Sequence, residues 1–332
     1  MKVGILSFAH GHAHSYAKSV LALSTRGVQL AAIADDDVAR GKAAANQYSC
    51  GFYRDYQELL KTDVDAVIVC SENARHAEMV VAAAEAGKHV LCEKPIATTQ
   101  KDALRMIRAC KENGVILQIA FPVRFSRPIA RLKEMVDERK LGRIVAVRGT
   151  NRGQNPGGWF IDNALSGGGA VMDHTVHVID VMRWILKSEV REVYAEVDTH
   201  FTSIPTDDCG QLVLEFENGV FASHDPSWSR PASYPTWGDV TLEVVGTSGV
   251  TNVNAFAQHF DYFGQGPRPY SHQFWGDDMD YLLIRNFVDV VEGKSAPLIT
   301  GVDGLRALEV ALAAYESGRT HKPVPVHRAV LE

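Results

Sequence analysis

Several things are missing from this chain of 332 residues, and each absence excludes something. No stretch comes near the roughly 18 consecutive apolar residues that a membrane-crossing helix requires. Cysteine is sparse: Cys50, Cys70, Cys92, Cys110 and Cys209 are odd in number, widely spaced and never arranged as C-x-x-C. That pattern gives neither a disulfide framework nor a zinc ribbon, and it predicts reduced thiols in a cytoplasmic protein. There is no basic surplus either, since 34 Lys and Arg face 40 Asp and Glu for a net charge of −6. A nucleic acid or an anionic membrane is therefore not the expected partner. Internal repeats and low-complexity tracts are also absent. What remains is ordinary globular usage, 46% hydrophobic and 22% charged, in a length that suits about two domains. The opening MKVGILSFAHGHAH reads as a first strand rather than a signal peptide.

The first third alternates strand and helix patterns. Strands are predicted at 2–8, 28–35, 64–70, 89–95 and 115–121, with helices at 13–24, 37–47, 77–87 and 99–112. VDAVIVC at 64–70 is almost wholly apolar, as a strand buried on both faces should be. This order implies a parallel sheet with right-handed crossovers, whose ligands bind beyond the carboxyl ends of the strands. After about residue 122 the pattern changes. A helix is expected at 127–140 and a strand at 143–150. A glycine-rich segment then leads into an amphipathic helix within 166–186. Strand-like runs follow near 190–201, 210–217, 219–225, 239–246 and 249–254, and helices at about 276–292 and 302–317 close the chain. The fold class is thus α/β plus α+β. A doubly wound parallel sheet over 1–122 precedes a domain over 123–332 with a large open, mostly antiparallel sheet.

The chemistry-bearing residues gather at the predicted strand ends. The first turn runs Ser7, Phe8, Ala9, His10, Gly11, His12. It stands where a dinucleotide-binding chain carries G-x-G-x-x-G, but Ser7, Ala9 and His12 occupy the glycine positions. The helix dipole still favours a diphosphate there, and His10 or His12 could add a donor. Asp35 ends the second strand, where a carboxylate accepts hydrogen bonds from an adenosine ribose and repels a 2′-phosphate, so NAD is expected over NADP. Arg40, one turn on, softens that preference, and Asp36 or Asp37 suits a helix cap. Ser71, Asn73 and His76 follow the strand at 64–70. Glu93, Lys94 and Pro95 end the next, which places an amine where it can meet a bound hydroxyl. Further along, three glycines precede Asp173, His177 and Asp180. Spacing of four puts Asp173 and His177 on one helix face, the pairing a tuned general base needs. His174 with these two could instead form part of a metal site.

These segments together resemble the Gfo/Idh/MocA oxidoreductases. The resemblance rests on KVGIL with its acid-ended second strand, CSENARH, AGKHVLCEKP, PVRF, LGRI, SGGGAVMDHTVHVIDVMRW, LEVVGTSG and the closing GVDGLRALEVALAAYESGRTHKPV. It implies a Rossmann domain followed by an open-sheet domain that mediates homodimers or homotetramers. It also implies NAD(P)-linked hydride transfer on a sugar, polyol or related alcohol. Lys94 matches the family's catalytic lysine, and Asp173 and His177 its acid–base pair. The chain departs from the pattern in its eroded first turn, in Glu72 where proline is usual, and in His174 and Thr175.

The expected mechanism has His177, oriented by Asp173, taking a hydroxyl proton while Lys94 hydrogen-bonds the same oxygen. Ser7 to His12, Asp35, Ser71, Asn73, His76, Glu93 and Lys94 are the expected cofactor contacts. Arg124, Arg152, Trp159 and His224 are candidate substrate contacts. Two rival functions follow from the same residues. One is a metal-dependent hydrolase using His10, His12 and His14 on a β/α barrel. The other is a non-catalytic dinucleotide sensor.

Overall fold

The computed structural model describes residues 1–263, 270–274 and 276–331. The N-terminal half opens with β1 (Lys2–Leu6), α1 (His12–Ala22), β2 (Gln29–Ala34), α2 (Val38–Tyr48), β3 (Gly51–Tyr53) and α3 (Tyr56–Leu60). It continues through β4 (Ala66–Val69), α4 (His76–Glu85), β5 (His89–Cys92), α5 (Gln100–Glu112) and β6 (Leu117–Ile119). All six strands are parallel, in the order β3-β2-β1-β4-β5-β6. The order reverses beside β1, so β1 and β4 diverge there into helices on opposite faces and open a crevice at their carboxyl ends. Every side chain of β4 is buried, as its unbroken apolar run requires. Helix starts are fixed by side chains: Asp37 accepts from the backbone N–H groups of Ala39 and Arg40, and Thr99 accepts from that of Asp102.

The second half begins with α6 (Arg127–Asp137), β7 (Ile144–Gly153), α7 (Asn163–Ser166), α8 (Ala170–Leu186) and β8 (Val190–Asp198). Then come β9 (Cys209–Phe216), β10 (Phe221–Asp225), β11 (Gly238–Gly246), β12 (Gly249–Asn254), β13 (His259–Phe263) and β14 (Tyr270–Phe274). It ends with α9 (Met279–Val291), α10 (Gly301–Thr320) and β15 (Val324–Pro325). The large sheet runs β12-β11-β7-β10-β9-β8-β15. It is antiparallel apart from the pairing of β7 with β10. α8 and α10 cover one face, and β9 shows the consequence: Leu212, Leu214 and Phe216 are buried while Val213 between them is exposed.

The last helices return to the first half. α9 packs on α1, and α10 packs on α5 and β6. The two sheets are therefore joined around the crevice rather than strung on a linker. β3, α3, the paired strands β13 and β14, and β15 have no counterpart in the predicted elements.

Candidate active site

The first turn folds around its non-glycine residues. Ser7 takes a left-handed φ of 70°, the position where a glycine would be unstrained, and its Oγ accepts from the Ala9 N–H at 3.1 Å. Phe8 is buried edge-on against His14, so it packs the helices and is no open contact. Gly11 has no protein atom within 4 Å of where a Cβ would stand. His10 accepts the backbone N–H of His12 on Nδ1 at 3.1 Å, and its buried Nε2 has no protein partner. Burial holds the His10 pKa down to about 3, against the pull of Glu93, so the ring is neutral.

Glu93 is fully buried at the end of β5. Its carboxylate accepts from Tyr16 Oη at 2.5 Å, from His12 Nδ1 at 2.9 Å and from the Lys94 backbone N–H at 2.9 Å. Burial would raise its pKa, but His10, His12 and Lys94 outweigh that and hold it well below the usual range. Glu93 therefore does not orient the Lys94 side chain. The Lys94 ammonium turns the other way, into an ion pair with Asp173 Oδ1, and lies 3.4 Å from the Asp173 carbonyl. Lysine and aspartate come from different halves of the chain and meet at the crevice.

The glycines before α8 let it start there. Gly169 leaves no room for a side chain, since a Cβ would lie 1.9 Å from the Asp207 carbonyl oxygen. Its N–H is held by Asp207 Oδ1 at 2.8 Å and by Tyr315 Oη at 3.0 Å. Asp173 follows one turn later. Its second oxygen lies 3.2 Å from His174 Nε2 and accepts from Trp228 Nε1 at 3.3 Å. Burial would raise the Asp173 pKa, yet Lys94, His174 and His177 hold it far below the carboxylate range. The expected pairing with His177 is corrected here: among the described residues no hydrogen bond joins the two. Equal spacing put them on one face, but the nearby Lys94 ammonium takes the carboxylate. His177 Nδ1 is buried without a partner, and the ring lies edge-on to Phe121. Burial, then the Lys94 charge, hold its pKa well below that of free histidine, so the ring is neutral and its lone pair available.

At the end of β2, Asp35 is already engaged. It receives Arg40 Nε at 2.8 Å and Nη2 at 2.7 Å, and the backbone N–H groups of Phe8 at 2.8 Å and Asp37 at 3.0 Å. Asp37 is the cap, and Asp36 pairs with Arg75 at 2.7 Å. Beside them lies a cavity of about 220 Å³ lined by Ser7, Asp35, Asp36, Arg54, Tyr56 and Arg75.

The other candidates divide. Asn73 Nδ2 donates to the Ser166 carbonyl at 2.8 Å, and its buried Oδ1 is unpaired. Ser71 donates through Oγ to the Glu72 carbonyl. His76 is buried with Nδ1 2.9 Å from the Pro95 carbonyl and Nε2 3.2 Å from that of Ser71, so it ties two strand ends and offers no free nitrogen. Trp159 lies at the turn, its Nε1 donating to the Ala9 carbonyl at 3.0 Å. Arg124 is spent on Asp180, Asp303 and the Leu298 carbonyl, Arg152 bonds Asp239, and His224 is buried beside the Gly149 carbonyl. Arg124 and Arg152 thus have structural partners in place of the open position expected of a substrate contact, while His224 Nε2 is buried without a partner. Tyr16 was missed, although its spacing of four from His12 on α1 is a usable signal. Trp228, on a loop, carries none.

His14 turns away to Tyr48 Oη at 2.9 Å, so the three histidines of the turn do not converge as the hydrolase alternative requires. His10, His12 and Glu93 do approach one another, but hydrogen bonds already use the facing atoms. The donor set fits a dinucleotide instead. An acid-ended β2 with a cavity beside it, an open Gly11 at a helix start, and unpaired buried atoms on His10, Asn73 and His177 all lie around the crevice.

Comparison with known proteins agrees. Residues 3–121 match the oxidoreductase family with an NAD-binding Rossmann fold, and residues 129–251 match the GFO/IDH/MocA C-terminal domain. The chain is 32% identical to the myo-inositol 2-dehydrogenase of Thermotoga maritima, over 84% of this chain and 85% of that one. It is 31% identical to the uncharacterized oxidoreductase YrbE of Bacillus subtilis, over 90% and 89%. The crystal structure of a probable dehydrogenase from Thermotoga maritima superposes with a TM-score of 0.85 at 28% identity, over 98% and 99% of the two chains. The chain belongs to the Gfo/Idh/MocA family of NAD(P)-dependent oxidoreductases.

Proposed function

We propose that this protein oxidises a secondary alcohol of a sugar, polyol or sugar acid, or reduces the corresponding ketone, with NAD preferred over NADP. The observation that carries this is the Lys94–Asp173 ion pair, formed across the crevice between a Rossmann strand end and the first turn of α8, with the unpaired His177 Nδ1 one turn further on. The turn at 7–12 would receive the diphosphate. The Asp35–Arg40 pair would meet the adenosine ribose, and Asn73 with the end of β5 would flank the nicotinamide side. Bound NAD supplies the hydride acceptor. Asp173 holds the Lys94 ammonium in place by charge. Lys94 donates a hydrogen bond to the substrate oxygen and stabilises the alkoxide character that develops there. His177, neutral at the outset, accepts the hydroxyl proton, and the nearby Asp173 carboxylate stabilises the imidazolium that results. Trp159, bonded to the Ala9 carbonyl, would shield one side of the first turn.

The uncovered face of the large sheet, with Val213 and Phe221 exposed on it, supports a homodimer or homotetramer built through that face. The unpaired cysteines fit a cytoplasmic setting. A domain division at 122/123 fits the change from parallel to mixed sheet.

The test is a fluorescence titration with NADH and NADPH, followed by an oxidation screen over inositols, sugars and sugar acids. Tighter NADH binding and NAD-linked oxidation of at least one alcohol are expected. Dinucleotide binding with no turnover across the screen would favour the sensor.

A further inference from the structure

Glu93 presents an electrostatic problem whose solution points toward the cofactor. A fully buried carboxylate must have a cationic partner or give up its charge. Lys94, its neighbour, lends its charge from a distance but its ammonium does not bond to Glu93, being turned to Asp173. His10 Nδ1 is 3.9 Å away, but that nitrogen accepts a backbone N–H and the ring is neutral. That leaves His12, whose Nδ1 lies 2.9 Å from Glu93 Oε1. Unlike the buried His10 and Lys94, the His12 side chain is 41% exposed, and Nε2 has no partner among the described residues. It is also the first residue of α1, where the helix dipole and the expected diphosphate meet.

We propose that His12, pinned to Glu93 as an imidazolium, is the anchor for the cofactor's diphosphate in this chain, and that dinucleotide affinity therefore falls as pH rises. The inference rests on the cofactor binding at this turn. It accounts for the eroded glycine pattern: backbone approach, which glycine permits, is supplemented by a side-chain cation on a buried counter-ion. The groups facing the ring are Glu93 and Lys94 from the end of β5, His10 on the same turn, Tyr16 one turn along α1 and Asp280 at the start of α9. Partial burial and Lys94 favour the neutral ring, while Glu93 and Asp280 favour the charged one and prevail, so the pKa is raised. The sign follows. The imidazolium is present below the raised pKa and is lost as pH passes upward through it, whereas the diphosphate stays ionised throughout.

The test measures dissociation constants of NADH, ADP and adenosine for the folded full chain from about pH 6 to about pH 9. NADH and ADP should weaken about tenfold across that range and adenosine should not change, because only the first two carry the diphosphate. In His12→Gln the slope should vanish, with affinity at every pH near the wild-type value at the alkaline end. In His12→Lys, a cation that keeps its charge, tight binding should persist to the alkaline end. Equal slopes in wild type and His12→Gln, or an equal slope for adenosine, would overturn the proposal. Failure of NADH to bind the wild type at any pH would instead overturn the cofactor assignment beneath it.

Discussion

At the scale of single residues, two side chains carry the proposed chemistry. Lys94 is an ammonium that the Rossmann half delivers to the crevice, and Asp173 holds it from the other half. Lys94→Ala should lower turnover by about 10²–10⁴-fold on whichever alcohol the screen identifies, well beyond any loss of NADH affinity, and should lower the thermal midpoint as well because it strands the buried Asp173 charge. Steady-state kinetics beside a binding titration separates the two, and wild-type turnover in the variant would remove Lys94 from the mechanism. Asp35 is the residue proposed to select the cofactor. Because Arg40 grips it with two nitrogens, Asp35→Ser removes a carboxylate and releases a guanidinium in the same step. The NADPH-to-NADH affinity ratio should rise by about tenfold or more. Paired titrations that leave the ratio where it was would refute the ribose assignment.

Elements explain what the sequence disclosed and what it hid. β4 was legible because its short run is wholly apolar, and α8 because glycines precede a long span rich in apolar residues, of which all but Trp184 prove buried. β3 and β15 span only 3 and 2 residues, too few for a period to show. The site divides in the same way. Lys94 was legible as an amine at a strand end, and Asp173 with His177 as a helical pair. Which partner Asp173 takes was not legible, since spacing along a helix fixes a shared face but not the cation that arrives from another strand. Arg124 shows the converse: a buried arginine read as a contact proves to clamp α8. It meets Asp180 at 2.6 and 2.7 Å. Arg124→Met should cost about 3–5 kcal/mol by stranding the Asp180 charge. A urea midpoint measures this, and adding Asp180→Asn should recover much of the loss if the pair is structural. No recovery would show that Arg124 acts elsewhere.

For the molecule as a whole, the large sheet is covered on one side only. Phe221 is 56% exposed and Val213 52% on neighbouring strands of the open side, an arrangement that a second copy of the chain would bury. Phe221→Glu should shift the light-scattering mass toward the monomer while the far-ultraviolet dichroism stays the same. An unchanged mass would place the contact elsewhere or remove it.

The bond from Trp159 to the Ala9 carbonyl fixes an indole directly on the turn where the diphosphate is expected. Reduced nicotinamide absorbs at the wavelengths at which indole emits, and such transfer is efficient over short range. The protein thus carries its own optical gauge: a Trp159→Phe difference spectrum isolates that one emitter, and its dimming would follow each arrival and departure of the dinucleotide in real time, with no label attached.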